Sequence, residues 1–349
     1  MKLLSTRGGA LVAAAIIGSL GLTACGNATD NATSGSSGSG SASAATKLSI
    51  TFLPKNLGNP YFDTSDAGGK KAVEEFGGTY AEVGPQTGSP DAQVQYINTA
   101  AQQRTSGLVV SANDPKAICD ALNQARKAGT KVVTFDSDTD PTCRDLFVNQ
   151  ATSEGIAKVQ TDLVTKAIGD SGEIAILSAS ANATNQNAWI DLMKKDLAAN
   201  HPNVKLVDVV YGNDDDQTSF DKTAALLQSH PNLKGIVSPT TVGIAAAARY
   251  LSTSDKKGKV YLTGLGTPNQ MKEFVKDGTV KEFALWNPGD LGYLAAFAAK
   301  ALADGTITGK EGDKFTAGSL GEYTVGADSV VLLGDPFVFN AENIDQFNF

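Results

Sequence analysis

From residue 48 to residue 303, short β-branched runs alternate with stretches whose apolar residues recur at helical spacing. LSITFLP (48–54), TYAEV (79–83), GLVVSA (107–112) and KVVTFD (131–136) read as strands, with helices predicted over 60–76, 91–104 and 115–128 between them. After a short apolar stretch at Leu146–Asn149 the alternation restarts. Helices over 151–168, 184–199, 216–229, 241–251, 268–277 and 290–303 separate GEIAILS (172–178), VKLVDVVY (204–211), LKGIVS (233–238), KVYLTGL (259–265) and VKEFALW (280–286). A strand about every 25 residues with a helix between marks βαβ units and a parallel sheet. Two doubly wound, Rossmann-like α/β lobes fit the count better than one long sheet. Two equivalent helix stops, Asn200-His201-Pro202-Asn203 and Ser229-His230-Pro231-Asn232, support the phase, because proline cannot continue a helix. Both histidines read as loop residues without chemistry.

The start of the chain departs from this pattern. Lys2 and Arg7 precede an apolar, Gly/Ala-rich stretch at residues 10–22, which is the form of an export signal. That stretch is shorter than the ~20 residues a spanning helix needs, and no comparable run follows. Leu22-Thr23-Ala24-Cys25 resembles the bacterial lipobox, in which the cysteine is acylated and becomes the new N-terminus. Residues 1–24 are therefore expected to be a lipoprotein signal peptide. Residues 25–46 are expected to be the lipidated Cys25 and a flexible Gly/Ser/Ala/Thr/Asn tether that reaches roughly 25 Å.

Composition narrows the function. The 349 residues are 41% hydrophobic, enough for about two cored domains. Lys+Arg number 29 against Asp+Glu 37, a net charge of −8. Signal removal leaves 27 basic residues against 37 acidic, a net of −10. An acidic body neither neutralises nucleic-acid phosphates nor adheres to anionic lipid, so membrane attachment falls to acyl chains alone. Three cysteines without a CxxC pair and two histidines give no metal site, and none is expected. Export leaves Cys119 and Cys143 outside the reducing cytosol, 24 residues apart, and a disulfide between them is expected.

In open α/β sheets a ligand lies beyond the carboxyl ends of the strands. Those ends carry Lys55, Asn59 and Phe62 after the first strand, Asp136-Ser137-Asp138 after the fourth, and Asn185-Gln186 before the fifth helix. Pro239-Thr240-Thr241 and Trp286-Asn287 complete the set in the second half. Amides and carboxylates can each bond neighbouring hydroxyls, while an aromatic ring covers the apolar C–H face of a sugar. Asp136 is taken as a hydroxyl ligand and Asp138 as either a second ligand or a turn cap. Gly305–Glu311 lacks the spacing of a phosphate loop. The run Asn213-Asp214-Asp215-Asp216 has no EF-hand spacing and reads as a helix N-cap with acidic first-turn residues. No GxSxG, HExxH or catalytic-cysteine setting is present.

The two-lobed alternation and Asn59-Pro60-Tyr61-Phe62 resemble the ribose-type periplasmic binding proteins, the solute receptors of ABC importers. The sharper likeness is to the branch of rhamnose-binding receptors, with autoinducer-2 receptors more distant. It rests on Phe52–Lys55, Thr134–Thr139, Ala183–Trp189, Ile236–Gly243, Leu262–Asn269 and Asn343–Phe347, and runs from about residue 48 to the end. Autoinducer-2 receptors are expected to carry Asp-Gln where this chain has Asn185-Gln186, and Pro-Asp-Ala where it has Pro239-Thr240-Thr241. Ser137 stands where the ribose proteins have an arginine.

The resemblance implies a type I periplasmic binding protein without enzymatic activity or cofactor. It implies capture of a monosaccharide, L-rhamnose first and autoinducer-2 or another small sugar as the alternative, delivery to an ABC permease, and action as a monomer. Residues 47–149 with about 287–325 are expected to form the first lobe. Residues 150–286 with about 326–349 are expected to form the second. A transcription regulator of the same architecture would need a helix-turn-helix, where residues 1–46 instead hold a signal and a tether.

Overall fold

A computed structural model describes residues 47–349. The expected signal peptide, Cys25 and the tether lie outside the described residues.

The chain first lays down β1 (Ser49–Leu53), α1 (Pro60–Glu75), β2 (Thr79–Glu82), α2 (Pro90–Gln102), β3 (Gly107–Val110), α3 (Cys119–Lys127), β4 (Lys131–Phe135) and β5 (Leu146–Asn149). It then crosses to a second lobe of α4 (Ser153–Ile168), β6 (Gly172–Ser178), α5 (Thr184–Asn200), β7 (Val204–Tyr211), α6 (Asp216–Ser229), β8 (Leu233–Ser238), α7 (Thr241–Thr253), β9 (Tyr261–Gly264), α8 (Pro268–Lys276) and β10 (Phe283–Leu285). α9 (Pro288–Ala303), β11 (Lys314–Thr316), β12 (Glu322–Thr324), β13 (Val330–Leu332) and β14 (Phe337–Phe339) complete the chain.

The first sheet runs β2-β1-β3-β4-β5-β13 and the second β7-β6-β8-β9, with every neighbouring pair parallel. In each lobe the strand order turns back on itself beside the first strand, so a crevice opens there at the carboxyl ends. The central strands are buried on both faces and read as unbroken apolar runs, such as Gly107–Val110 and Ile236–Val237.

Helix starts are set by local chemistry. Asn59, Ser89, Thr152 and Asp215 each accept a backbone N–H with a side-chain oxygen at the heads of α1, α2, α4 and α6. α3 begins four residues later than its apolar pattern suggests. The Asp114 carboxylate accepts from the N–H groups of Lys116 and Ala117 and holds residues 114–117 in a turn. Cys119 and Cys143 are joined in a disulfide, with their Cα atoms 5.3 Å apart.

α9 follows a strand of the second lobe but belongs to the first, where it packs on α1, β3 and β4. The α1–α9 crossing is close enough that a Cβ on Gly68 would overlap the Gly289 carbonyl oxygen, and one on Gly292 that of Ser65. The boundary expected near residue 326 is corrected. β13 pairs with β5 in parallel, Val331 opposite Val148, so the first sheet extends to Leu332. Only then does the chain return to the second lobe, where β14 pairs antiparallel with β10. Three interlobe connections result, near residues 150, 286 and 334, and the first and third run together through Leu333 N–H to Asn149 O (2.8 Å).

Candidate functional site

The strand ends of the two lobes face each other across about 380 Å³ of empty space, mouth included. Lys55, Asn59, Tyr61, Phe62 and Asp136 line it from the first lobe. Asn185, Gln186, Asp214, Pro239, Thr240, Thr241 and Trp286 line it from the second lobe and the crossover that leaves it.

Asp136 is the centre of the first-lobe wall. It ends β4 in the left-handed region, φ 60°, which turns its carboxylate into the crevice. Oδ2 accepts the Ser111 hydroxyl at 2.7 Å and lies 3.6 Å from Lys55 Nζ. With Oδ2 engaged by Ser111, the carboxylate keeps acceptor capacity on Oδ1 for a ligand. Lys55 is 7% exposed and Asp136 5%, so their charges face each other with little water between.

The second lobe answers with amides. Asn185, near the head of α5, accepts Lys55 Nζ on Oδ1 at 3.3 Å and donates from Nδ2 to Asp136 O at 3.3 Å. The Gln186 carbonyl accepts the Ser178 hydroxyl at 2.7 Å and the Ala179 N–H at 2.8 Å. With its oxygen held twice, Gln186 keeps its NH₂ as a donor on the cavity side. Asp214, φ 50°, accepts the Thr240 hydroxyl. Burial pushes the Asp214 carboxyl above its ordinary range, the neighbouring Asp136 charge adds to this, and the Thr240 bond and the Lys55 charge oppose it.

Aromatic rings form the apolar flank. Trp286 is 5% exposed and donates from Nε1 to the Tyr61 hydroxyl at 2.9 Å. Its ring meets Tyr61 and Trp189 edge-on, centroids 6.2 and 6.1 Å apart. Burial first, and the Asp136 charge second, hold the Tyr61 phenol well above its usual range, so it stays protonated. Phe62, Leu265 and Leu285 extend the same side.

Ten of the twelve expected binding residues line the cavity: Lys55, Asn59, Phe62, Asp136, Asn185, Gln186, Pro239, Thr240, Thr241 and Trp286. Asn59 does so while its Oδ1 caps α1.

Two expectations are corrected. Asp138 is clamped by Arg144 Nε at 2.7 Å and accepts from Thr134 and the Thr139 N–H; residues two apart on a regular strand would share a face, and the left-handed backbone at Asp136 breaks that alternation. Asn287 caps α9, accepting the Gly289 N–H at 2.9 Å, and does not line the cavity. Tyr61, Trp189, Asp214, Leu265 and Leu285 line it and were not foreseen. For Asp214 the acidic run after β7 was a visible signal. Asp215 makes the N-cap expected of that run, and Asp214 turns inward instead.

The cavity offers an ammonium, two carboxylates, amides, hydroxyls and a half-apolar wall, groups that bond hydroxyls and cover C–H faces. No helix among the described residues is long and apolar enough to cross a membrane.

Comparisons with known proteins agree with this chemistry. A family model described as a periplasmic binding protein domain matches residues 50–307. A sugar ABC transporter structure from Actinomyces odontolyticus is 57% identical, covering 86% of this chain and 98% of its own, with a TM-score of 0.71. An ABC transporter solute-binding protein from Clostridium phytofermentas with bound L-rhamnose is 38% identical over 86% and 98%, TM-score 0.83. LsrB from Clostridium saccharobutylicum in complex with AI-2 is 28% identical over 86% and 100%, TM-score 0.81.

Proposed function

Given that the chain belongs to the periplasmic binding protein family, as the sugar-binding component of an ABC importer rather than an enzyme, we propose that its ligand is L-rhamnose. The observation that carries this reading is the cavity wall made by Asn185, Gln186, Thr240 and Thr241. Of these, Asn185, Thr240 and Thr241 are the positions at which the chain differs from the autoinducer-2 pattern and agrees with the rhamnose pattern. The relative with bound L-rhamnose, 38% identical, supports it.

Capture works by closure. In an open cleft each lobe presents half of the groups to water. Only with the lobes together do Lys55 and Asp136 face Asn185 and Gln186 across one small space, so the ligand favours the closed form by bonding both halves. Asp136 Oδ1 accepts from ring hydroxyls, Gln186 NH₂ donates to one, and Trp286 and Phe62 cover the apolar face. Rhamnose carries a methyl group where most hexoses carry a hydroxymethyl, and the Phe62–Trp286 flank receives it. The 57%-identical structure superposes less well than the 38%-identical one, an inversion that rigid lobes set at different angles produce.

The loaded, closed receptor docks as a monomer on its permease, held to the outer face of the cytoplasmic membrane through acylated Cys25. Replacing Cys25 by Ala should free the processed chain from membranes, and unchanged detergent-dependent association would refute the anchor.

Calorimetry of residues 47–349 with L-rhamnose tests the ligand, beside pentoses and autoinducer-2. Saturable binding of L-rhamnose, tightest of the set, is expected. No heat with L-rhamnose and binding of autoinducer-2 would transfer the protein to the signalling branch.

A further inference from the structure

A second, outer cavity of about 660 Å³, mouth included, abuts the first, and Lys55 and Asp214 line both. Its walls come from strand ends of both lobes: Asn56 after β1 and Asn113 after β3 on one side, Asn182 before α5 and Asn213 after β7 on the other. It is therefore completed by the same closure that completes the sugar site.

We propose that this cavity is a subsite for a second sugar unit, so that the receptor takes rhamnose-containing disaccharides as well as the free monosaccharide. The inference rests on the monosaccharide reading above. A substituent on the captured ring that leaves between Lys55 and Asp214 enters a space walled by four amide side chains, each with a donor and an acceptor for adjacent hydroxyls.

One of these amides is held in place. Asn113 donates from Nδ2 to the Lys55 carbonyl at 2.8 Å, and its backbone N–H donates to Gln93 Oε1 at 3.0 Å. Gln93 is fully buried and fixed by bonds to Pro54 O and Ser111 O. Asn113 Oδ1 is left as a preset acceptor beside the inner site. The outer cavity is lined by no aromatic ring, and its charged groups are the two it shares. It suits a neutral, hydroxylated unit held by hydrogen bonds and gives a flat aromatic aglycone nothing to stack on.

Calorimetry with three probes tests this: L-rhamnose, rutinose (rhamnose linked through its anomeric carbon to glucose) and a glucosyl-rhamnose linked through a rhamnose ring hydroxyl. At least one disaccharide should bind within about tenfold of free rhamnose. Asn182 is exposed and does not line the inner site, so Asn182→Trp plugs only the outer cavity. It should weaken that disaccharide by about tenfold or more and leave rhamnose within about twofold. Rhamnose binding with neither disaccharide bound overturns the subsite, and so does a disaccharide whose affinity Asn182→Trp leaves unchanged. Binding of a disaccharide without rhamnose keeps the subsite and removes the monosaccharide reading. Binding of none removes both.

Discussion

Lys55, after the first strand of one lobe, donates to Asn185, at the head of a helix in the other, across 3.3 Å. The bond exists only with the lobes together, and the same two side chains line the sugar cavity. On the proposed function Asn185 belongs to closure and to recognition at once. Asn185→Ala removes the hydrogen-bond acceptor of a buried ammonium that otherwise keeps Asp136, at about 1–3 kcal/mol, which is about five- to 150-fold in sugar affinity. Melting of the ligand-free protein should hardly change, because the open cleft returns both groups to water. Calorimetry and melting curves on the variant check the pair, and equal losses in both measurements would make Asn185 structural.

Asp136 and Asp138 permit a sharper contrast. Asp136→Ala should reach or exceed the upper end of that affinity range, since a carboxylate accepts short, charge-assisted bonds from hydroxyls. Asp138→Ala should leave sugar affinity within about twofold and lower the melting temperature by several degrees. It strands Arg144, which is 4% exposed and keeps the carbonyls of Asp328 and Ser329 and the face of the Phe147 ring, but no counter-charge that close. A variant pair showing the reverse pattern would exchange the two roles.

The sequence made the strand ends legible, and with them ten cavity residues, because period and the carboxyl-end rule depend on local pattern. What it concealed depends on side-chain direction. Asp136 and Asp138 look alike as letters; the left-handed backbone at Asp136 and the guanidinium at Arg144 separate them. Tyr61 and Trp189 lie inside helices α1 and α5, past the strand ends that the carboxyl-end rule marks. Their place beside Trp286 follows from the way the second crossover lays α9 on the first lobe. The same crossover explains Asn287, which caps a helix that must begin at once. The late strand β13 is three residues long, too short for its apolar pattern to reveal which sheet it joins.

Asp66 gives a stability prediction. It lies in α1, 1% exposed, with Oδ1 bonded by Ser65 and Oδ2 without a hydrogen bond among the described residues. Burial, and then the Glu82 charge, push its carboxyl well above the ordinary range. A raised carboxyl pKa means that the folded state prefers the protonated form, so Asp66 costs stability once the pH exceeds its unfolded value of about 3.9. The cost grows up to the folded pKa and is constant above it. Asp66→Asn should therefore raise the melting temperature at neutral pH, with the gain vanishing as the pH falls to about 4. Melting curves across that range decide, and a gain that is independent of pH would mean that ionisation has no part in it.

Asp214 extends the same reasoning to binding. Its carboxyl is raised by burial at the meeting of the two lobes, and in the open cleft it returns to water and to its ordinary value. The closed form therefore binds a proton more readily than the open form. Closure takes up part of a proton and becomes easier as the pH falls from neutrality through the raised value, levelling off below about 3.9. Sugar affinity should strengthen as the pH falls from neutrality toward the ordinary carboxylate value of about 3.9. Asp214→Asn holds the side chain neutral at every pH and still accepts the Thr240 hydroxyl, so its binding profile should be flat over that window. At neutral pH the variant should bind at least as tightly as the native chain, unless the sugar itself draws on the Asp214 charge, in which case it binds more weakly and the flat profile remains. Calorimetric titrations of both proteins at several pH values separate these effects. Identical slopes in the two would show that Asp214 does not change its ionisation on closure.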